Sequence, residues 1–382
     1  QKSILHTTYG PLQGLHVICR QLYAANTMGV DGFKDAQEKI RSQFTNMTER
    51  FRGKMQEFSD LSSTNMIFTE DLKNMIHLAE NTKDDINLVT NMLVKFHKQN
   101  MEMQFGNYVF GPVVMRMFYC MQNFEEPLKL FKNPQLNDLF NQVVSYQILM
   151  DMLYSGGHYQ EILDLYTSCK NDNFKEQRHI VVLVLGACYK LNTKESLDFA
   201  LNLWRHFVKT GKIPMRKGAT FAAGLALKQN DPAIALEMVS VVRQQSYITV
   251  KNIKILAMLR MKRYNDVLMY LKKIVEEERA SGTTQSMSKE VLQEIRSTIV
   301  EKPDKELYGN VQKICKIIEE SGQVSEKNLD ELLTMEITMT SVNAPRGNTG
   351  YKNVLAGSFR SSPTGKSPIN PRFVRPGLAD LK

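Results

Sequence analysis

The stretch VSYQILMDMLYSGGHYQEILDLYTSC, residues 144–169, contains the pattern that decides the fold of this chain. Its first half places Val144, Ile148 and Met152 on one face of a helix. Gly156 and Gly157 then interrupt the pattern, and a second helical periodicity continues to residue 169. The stretch therefore predicts two helices joined by a short turn.

Five further pairs of helical segments with the same layout surround this unit. They are predicted at residues 69–81 with 84–99, 106–121 with 125–131, 179–190 with 194–209, 218–229 with 231–244, and 250–262 with 264–278. Equivalent early residues of successive first helices are separated by 38, 35, 38 and 32 positions: Tyr108, Tyr146, Val181, Ala219 and Lys251. A two-helix unit of this length cannot bury its apolar face alone, whereas stacked units bury a continuous core. The sequence predicts an all-α chain, an α-solenoid of about five to six helix-turn-helix repeats.

The remaining chain divides into four segments around the repeat array. We predict an N-terminal helical segment at 31–66, the array at 67–280, capping helices at 281–340, and a basic disordered tail at 341–382, where Gly, Pro, Ser and Asn are frequent. Residues 1–30 contain no acidic side chain, which is typical of a mitochondrial transit peptide. An ordinary basic arm is the alternative for residues 1–30.

Positive charge is concentrated in one part of the chain. The whole protein carries a formal net charge of +9. Between residues 199 and 265, however, there are twelve basic side chains against only Asp231 and Glu237. Such segregation is typical of a surface that meets phosphates, and this favours a nucleic-acid partner. A solvated basic face without any ligand is the alternative.

The unit at 144–169 resembles a pentatricopeptide repeat: an aromatic residue precedes a polar one, and an apolar helix, a glycine turn and a second helix follow. The strings YVFGPVVMRM (108–117), ACYKLNTKES (187–196) and GLALKQND (224–231) are similar to mitochondrial members of that family. The resemblance implies a mitochondrial matrix protein that binds single-stranded mitochondrial RNA. It also implies a role in transcript maturation, through which the protein would support the respiratory chain.

The resemblance further implies which side chains contact RNA. In the family, a polar side chain early in each first helix faces one base. The matching positions here are Val109, Gln147, Val182, Thr220 and Asn252, of which only Gln147, Thr220 and Asn252 can hydrogen-bond a base. For the RNA backbone, the predicted contacts are Arg216, Lys217, Lys251, Lys254, Arg260 and Arg263.

No pattern in the sequence predicts a catalytic or metal site. Thr364-Gly365-Lys366-Ser367 resembles the end of a phosphate-binding loop, but Arg360 stands where that loop requires glycine. The five cysteines form no C-x-x-C pair, and the seven histidines form no zinc-binding pair. We therefore predict no enzyme activity, no cofactor, no membrane insertion and no DNA partner.

Two functional hypotheses remain open at this stage. The first is a non-catalytic RNA-binding protein, with RNA-processing proteins as further candidate partners. The second is a protein-binding scaffold in a mitochondrial ribonucleoprotein complex. Basic residues on the surface formed by the first helices would favour RNA, and basic residues on the outer helices would favour the scaffold.

Overall fold

The computed structural model of the chain describes residues 21–337, except 61, 104–107, 137, 170, 213, 282–284 and 301–303. In chain order its α-helices are α1 (Val30–Phe44), α2 (Thr48–Ser59), α3 (Thr69–Leu78), α4 (Lys83–Met103), α5 (Gly111–Met121), α6 (Glu125–Phe131), α7 (Val143–Ser155), α8 (Tyr159–Ser168), α9 (Asp172–Lys175), α10 (Arg178–Leu191), α11 (Lys194–Lys209), α12 (Arg216–Lys228), α13 (Pro232–Ser240), α14 (Ile248–Arg260), α15 (Tyr264–Ser281), α16 (Lys289–Val300), α17 (Lys305–Glu320) and α18 (Leu329–Thr334). Strands β1 (Met287–Ser288) and β2 (Val324–Ser325) form a short parallel pair. The predicted all-α class is confirmed.

The helices stack as successive hairpins, as the repeat pattern predicted. The hairpins are α3–α4, α5–α6, α7–α8, α10–α11, α12–α13 and α14–α15, and each first helix contacts the first helix of the next hairpin. The flanking pairs α1–α2 and α16–α17 pack in the same way, because α1 contacts α3, α2 contacts α4, α14 contacts α16 and α15 contacts α17. The stacked array therefore extends beyond the predicted repeats at both ends.

The turns inside five hairpins share one backbone conformation. One residue of each turn has a positive φ, and these residues are Gln122, Gly157, Asn192, Asn230 and Lys262. Glycine and asparagine adopt this left-handed conformation with little strain, so the sequence suits the turn at three of the five positions. The same turn at nearly regular intervals is the structural signature of the repeat.

Local sequence explains how two of the second helices, α11 and α13, begin. Thr193 caps α11: its hydroxyl accepts a hydrogen bond from the backbone N–H of Ser196 at 3.1 Å, and the Thr193 N–H donates to the Ser196 hydroxyl at 3.0 Å. Asp231 caps α13, with Pro232 in the first turn. By contrast, α10, α12 and α14 begin without a side-chain cap.

The first helices form the centre of the protein. Every residue from Gly218 to Leu227 of α12 is buried, as is every residue from Ile180 to Tyr189 of α10. A surface helix of a solenoid buries one stripe and exposes the opposite face to solvent. These helices therefore have packing partners on both sides.

Residues near the ends of the described chain pack against the second side of the first helices. Leu22, Tyr23, Met28 and Val30 are buried in the same core as the repeats. The boundary predicted after residue 30, between the transit peptide or basic arm and the N-terminal helical segment, therefore lies within the folded part of the chain. The prediction for residues 1–20, like the disordered tail at 341–382, concerns residues outside those described.

Candidate nucleic-acid interface

The side chains predicted to face RNA bases are buried. Gln147 is 3% exposed, Thr220 1% and Asn252 0%. The Asn252 Oδ1 accepts a hydrogen bond from the Ser288 N–H at 2.9 Å, and its Nδ2 donates to the carbonyls of Ile248 and Ser286 at 2.6 and 3.3 Å. Its hydrogen-bonding capacity is therefore used within the protein, and the prediction that Asn252 faces a base is wrong for this structure.

The other two predicted base contacts are also buried. The Thr220 hydroxyl donates to the Lys217 carbonyl at 3.0 Å, within its own helix. The Gln147 Nε2 is buried and has no hydrogen-bond partner among the described residues. Neither side chain reaches solvent. Of the two valines at equivalent positions, Val182 is fully buried and Val109 is exposed.

Residues 22–28, which precede α1, cover part of the face that the first helices of the hairpins form together. We call this face the first-helix face. The Tyr23 N–H donates to the Asp151 Oδ1 of α7 at 3.1 Å, and the Tyr23 hydroxyl lies 3.1 Å from the Nδ1 of His179 in α10. The Arg116 Nε of α5 donates to the Met28 carbonyl at 2.8 Å. Residues 22–28 thus contact three successive first helices.

The C-terminal segment, residues 326–337, covers the next part of the same face. The Tyr189 hydroxyl donates to the Asp330 Oδ1 at 2.8 Å, and the Lys217 Nζ donates to the Met335 carbonyl at 2.8 Å. Leu333 is fully buried. An ideal Cβ added to Gly224 would lie only 2.9 Å from the Leu333 Cδ1, so glycine is what allows this close approach.

The two covering segments are joined by backbone hydrogen bonds. The Ala24 N–H donates to the Ile337 carbonyl at 3.2 Å, and the Ile337 N–H donates to the Leu22 carbonyl at 2.8 Å. Together they form a continuous cover over parts of α5, α7, α10 and α12. In this conformation a base cannot reach Gln147, Val182, Thr220 or Asn252, which are all buried, whereas Val109 remains exposed.

Three of the predicted phosphate contacts are taken up by neighbouring groups. Lys251 is 3% exposed and its Nζ donates to the Ser286 hydroxyl at 3.0 Å, so the prediction that it contacts RNA is wrong for this structure. The Arg216 guanidinium lies 3.1 Å from the ring centroid of Tyr247. Burial, together with the neighbouring charge of Arg216, lowers the pKa of Lys217 to about 8.

The other three predicted contacts are more accessible. Lys254 is half-buried, with its Nζ 5.6 Å from the ring centroid of Tyr270. Arg260 is exposed, but it donates to the Leu227 carbonyl at 2.7 Å and pairs with Glu294 at 3.4 Å. Arg263, which immediately precedes α15, pairs with Asp266 in the first turn of that helix. Their positive charges are therefore partly neutralised.

The exposed basic side chains gather where one hairpin connects to the next. Arg205 and Lys209 lie near the end of α11, and Arg243 follows α13. All three are exposed and have no ion pair among the described residues. With Lys212 and Arg216 they form what we call the basic edge.

Two contacts place successive connections of the basic edge side by side. Lys212 pairs with Glu176, which immediately precedes the α10 hairpin. The Arg216 Nη1, at the start of α12, donates to the Oε1 of Gln244, in the connection between α13 and α14, at 3.0 Å. Arg216 was predicted from the sequence as a phosphate contact, but nothing in the sequence distinguished Arg205, Lys209, Lys212 and Arg243 from the other basic residues between 199 and 265. Only the packing separates the accessible charges from the occupied ones.

The covered face contains a buried carboxylate that the sequence analysis did not consider. Burial raises the pKa of Asp151 to about 7, although hydrogen bonds from the backbone N–H groups of Tyr23 and Leu22 oppose this shift. Its Oδ2 has no hydrogen-bond partner among the described residues. A single aspartate inside the apolar string QILMDMLY was the signal available in the sequence.

The described part of the chain contains neither a metal-binding cluster nor a helix that could span a membrane. Within it, no group of three or more His, Cys, Asp or Glu side chains is placed to hold a metal ion. None of its helices is both long enough and apolar enough to cross a membrane. The fold and the basic edge define an all-α helical-repeat protein with an exposed basic surface.

Comparison with known proteins agrees with the predicted resemblance. The chain is 28% identical over 315 residues to pentatricopeptide repeat-containing protein 2, mitochondrial, of Pongo abelii, covering 82% of this chain and 81% of that protein. The proteins of the same name from Homo sapiens and Xenopus laevis are 29% and 28% identical, covering 72% of this chain and 70% and 71% of their own lengths. No protein-family model matches the chain. The resemblance is thus confirmed along most of the repeat array.

Proposed function

We propose that this protein binds single-stranded RNA through the phosphate backbone, along the basic edge. The observation that carries the proposal is the set of exposed, unpaired cations Arg205, Lys209 and Arg243 at successive hairpin connections. Exposed cations without acidic neighbours gain most when they replace the counterions of a polyanion. The similarity to pentatricopeptide repeat proteins supports RNA rather than another polyanion.

The proposed mode of binding has little base selectivity. Contacts to phosphate oxygens position a nucleic acid but carry no sequence information. The predicted base contacts Gln147, Thr220 and Asn252 are buried. Tyr247, partly exposed beside Arg216, offers a ring on which bases of any identity could stack.

We further propose that the protein acts without catalysis in the mitochondrial matrix. The similar proteins are named as mitochondrial, which supports this compartment. There the protein would hold transcripts in an unpaired state, or present them to RNA-processing proteins. It would thereby support transcript maturation and, through it, the respiratory chain.

The test is RNA binding by a variant that reverses the three unpaired charges. Arg205→Glu, Lys209→Glu and Arg243→Glu are combined in the full chain and titrated with an unstructured oligouridine over a salt series. The matched control combines Lys39→Glu, Lys98→Glu and Lys313→Glu, which are exposed lysines on distant helices. Both variants have the same change in net charge.

We expect affinity to collapse in the basic-edge variant and to fall only slightly in the control. The slope of log affinity against log salt should decrease by roughly 0.7 for each lost phosphate contact, or by about 2 for three contacts. Equal losses in the two variants would mean that binding follows net charge alone. Absence of salt-dependent binding by the native chain would refute the proposal.

A protein-binding scaffold is the second candidate, and two observations favour it. Arg205 and Lys209 lie on the second helix α11 and Arg243 follows the second helix α13, which is the placement on outer helices that we expected of a scaffold. Val208 and Val241 are exposed beside the basic residues of the same edge. A surface that combines aliphatic and basic side chains suits an acidic amphipathic helix. Capture of such a helix by the native chain, with no affinity for oligouridine, would favour the scaffold.

A further inference from the structure

The C-terminal covering segment has the charge of a small polyanion. Residues 326–337 include four acidic side chains, Glu326, Asp330, Glu331 and Glu336, and one lysine. The first helices beneath it carry Lys190, Lys217 and Lys228. An acidic segment therefore lies on a basic part of the first-helix face.

Asp330 is the centre of this contact. Its carboxylate pairs with the Nζ of Lys190 at 3.3 Å and with the Nζ of Lys228 at 3.1 Å. It also accepts a hydrogen bond from the Tyr189 hydroxyl at 2.8 Å. One carboxylate thus joins the ends of two successive first helices, α10 and α12.

The backbone of the segment accepts a hydrogen bond from a third lysine. The Lys217 Nζ donates to the Met335 carbonyl at 2.8 Å. The three lysines are thus satisfied by the same kinds of oxygen, anionic or strongly polar, that RNA phosphates would offer.

The segment is attached by a small apolar contact, made by Leu332 and Leu333 with Leu329 and Ile337 partly buried beside them, and by ion pairs. Its helix α18 has six residues, and only Leu332 and Leu333 of the segment are buried. Much of its contact with α10 and α12 consists of ion pairs between partly exposed side chains. Such pairs contribute little individually and are weakened by competing ions. A polyanion can therefore compete with this segment.

We propose that residues 326–337 form an autoinhibitory cover, which competes with RNA phosphates for Lys190, Lys217 and Lys228. This inference rests on the proposed RNA binding. RNA first meets the basic edge, and displacement of the cover then adds three cations to the contact. The closed state limits affinity because only the fraction of molecules with an open cover offers the full site.

The test compares two charge reversals within the cover of the full chain. Asp330→Lys breaks the contact with Lys190 and Lys228. Glu326→Lys makes the same charge change in the same segment, but Glu326 pairs with Lys289 of α16 and not with the first-helix lysines. Asp330→Asn, which is nearly isosteric, provides a variant with little risk to folding.

We expect Asp330→Lys to bind oligouridine roughly five- to twenty-fold more tightly than Glu326→Lys, because two ion pairs that hold the cover are lost. Asp330→Asn should give a smaller gain in the same direction. Adding Lys190→Ala and Lys228→Ala to Asp330→Lys should remove the gain. In the native chain, oligouridine should increase hydrogen exchange of the backbone amides at 329–337.

Two negative outcomes can be distinguished. If the native chain binds oligouridine, but Asp330→Lys binds no more tightly than Glu326→Lys and exchange at 329–337 is unchanged, the cover is structural and this inference fails alone. If neither the native chain nor any variant binds oligouridine, the proposed function and the inference both fail.

Discussion

Replacing Asp151 with asparagine should make the protein more stable at neutral and higher pH. Asp151 lies in α7 beneath residues 22–28, and its Oδ1 accepts a hydrogen bond from the Tyr23 N–H at 3.1 Å. An asparagine keeps this acceptor and removes the buried charge. The expected gain comes from the cost of ionising a carboxyl group away from water.

The pKa sets the size and the pH window of the effect. Burial raises the pKa of Asp151 from 3.8 to about 7. Because its folded-state pKa is raised, the folded protein holds this proton more tightly than the unfolded chain does. The resulting stabilisation is complete below about pH 4 and is lost as the pH rises towards 7. A shift of roughly three units corresponds to at most on the order of 4 kcal/mol.

The net gain of the variant is smaller than this limit. The asparagine Nδ2 would lie near the position of the Oδ2, which has no hydrogen-bond partner among the described residues. An unsatisfied buried donor costs about 1–3 kcal/mol. We therefore expect Asp151→Asn to be about 1–3 kcal/mol more stable than the native chain near pH 8.

The assay is urea unfolding followed by far-UV circular dichroism at about pH 5 and about pH 8. The native chain contains many other carboxylates that titrate, but they are common to both proteins. The difference in the free energy of unfolding between the variant and the native chain therefore reports on Asp151. If this difference in unfolding free energy is the same at both pH values, Asp151 does not titrate in this range and the reasoning is refuted.

Three further predictions test the packing around the covered face and the repeats. A chain that begins at residue 31 should be several kcal/mol less stable than one that begins at residue 21, because it lacks Leu22 and Tyr23 of the core; equal stability in urea would contradict the role of these residues. Gly224→Ala should lower stability by about 1 kcal/mol, because crowding of the Leu333 and Tyr189 side chains, at about 1–3 kcal/mol, exceeds the roughly 1 kcal/mol that alanine gains over glycine in a helix; a stabilising effect on thermal unfolding would contradict that close contact. Thr193→Ala should cost about 1 kcal/mol through loss of the α11 cap, with Thr193→Ser as the conservative control that retains stability.

The repeat array was predictable because its signals are local. Helical periodicity, the cap at Thr193 and the turn residues Asn192 and Asn230 each depend on neighbours within a few positions. The helix boundaries agree with the predicted pairs to within a few residues in most hairpins. Charge segregation could also be recognised, because it requires only the order of residues.

The candidate site was predictable only in part. The sequence placed its functional positions at Gln147, Thr220 and Asn252 by resemblance, and each does lie early in a first helix. Whether such a position faces solvent depends on what packs against it. Residues 22–28 and 326–337 provide part of that packing, and residues 286–288 contact Asn252. No periodic pattern linked these segments to the helices that they cover.

What the sequence by itself determined is the class of fold and the amount of positive charge between residues 199 and 265. What only the tertiary structure decided is which of those charges remain available. The Tyr23–Asp151 and Lys217–Met335 contacts join residues 128 and 118 positions apart. Secondary structure follows from interactions between near neighbours, whereas exposure follows from the whole folded chain. Contacts at such separations bury the predicted base contacts and leave Arg205, Lys209 and Arg243 free to meet a partner.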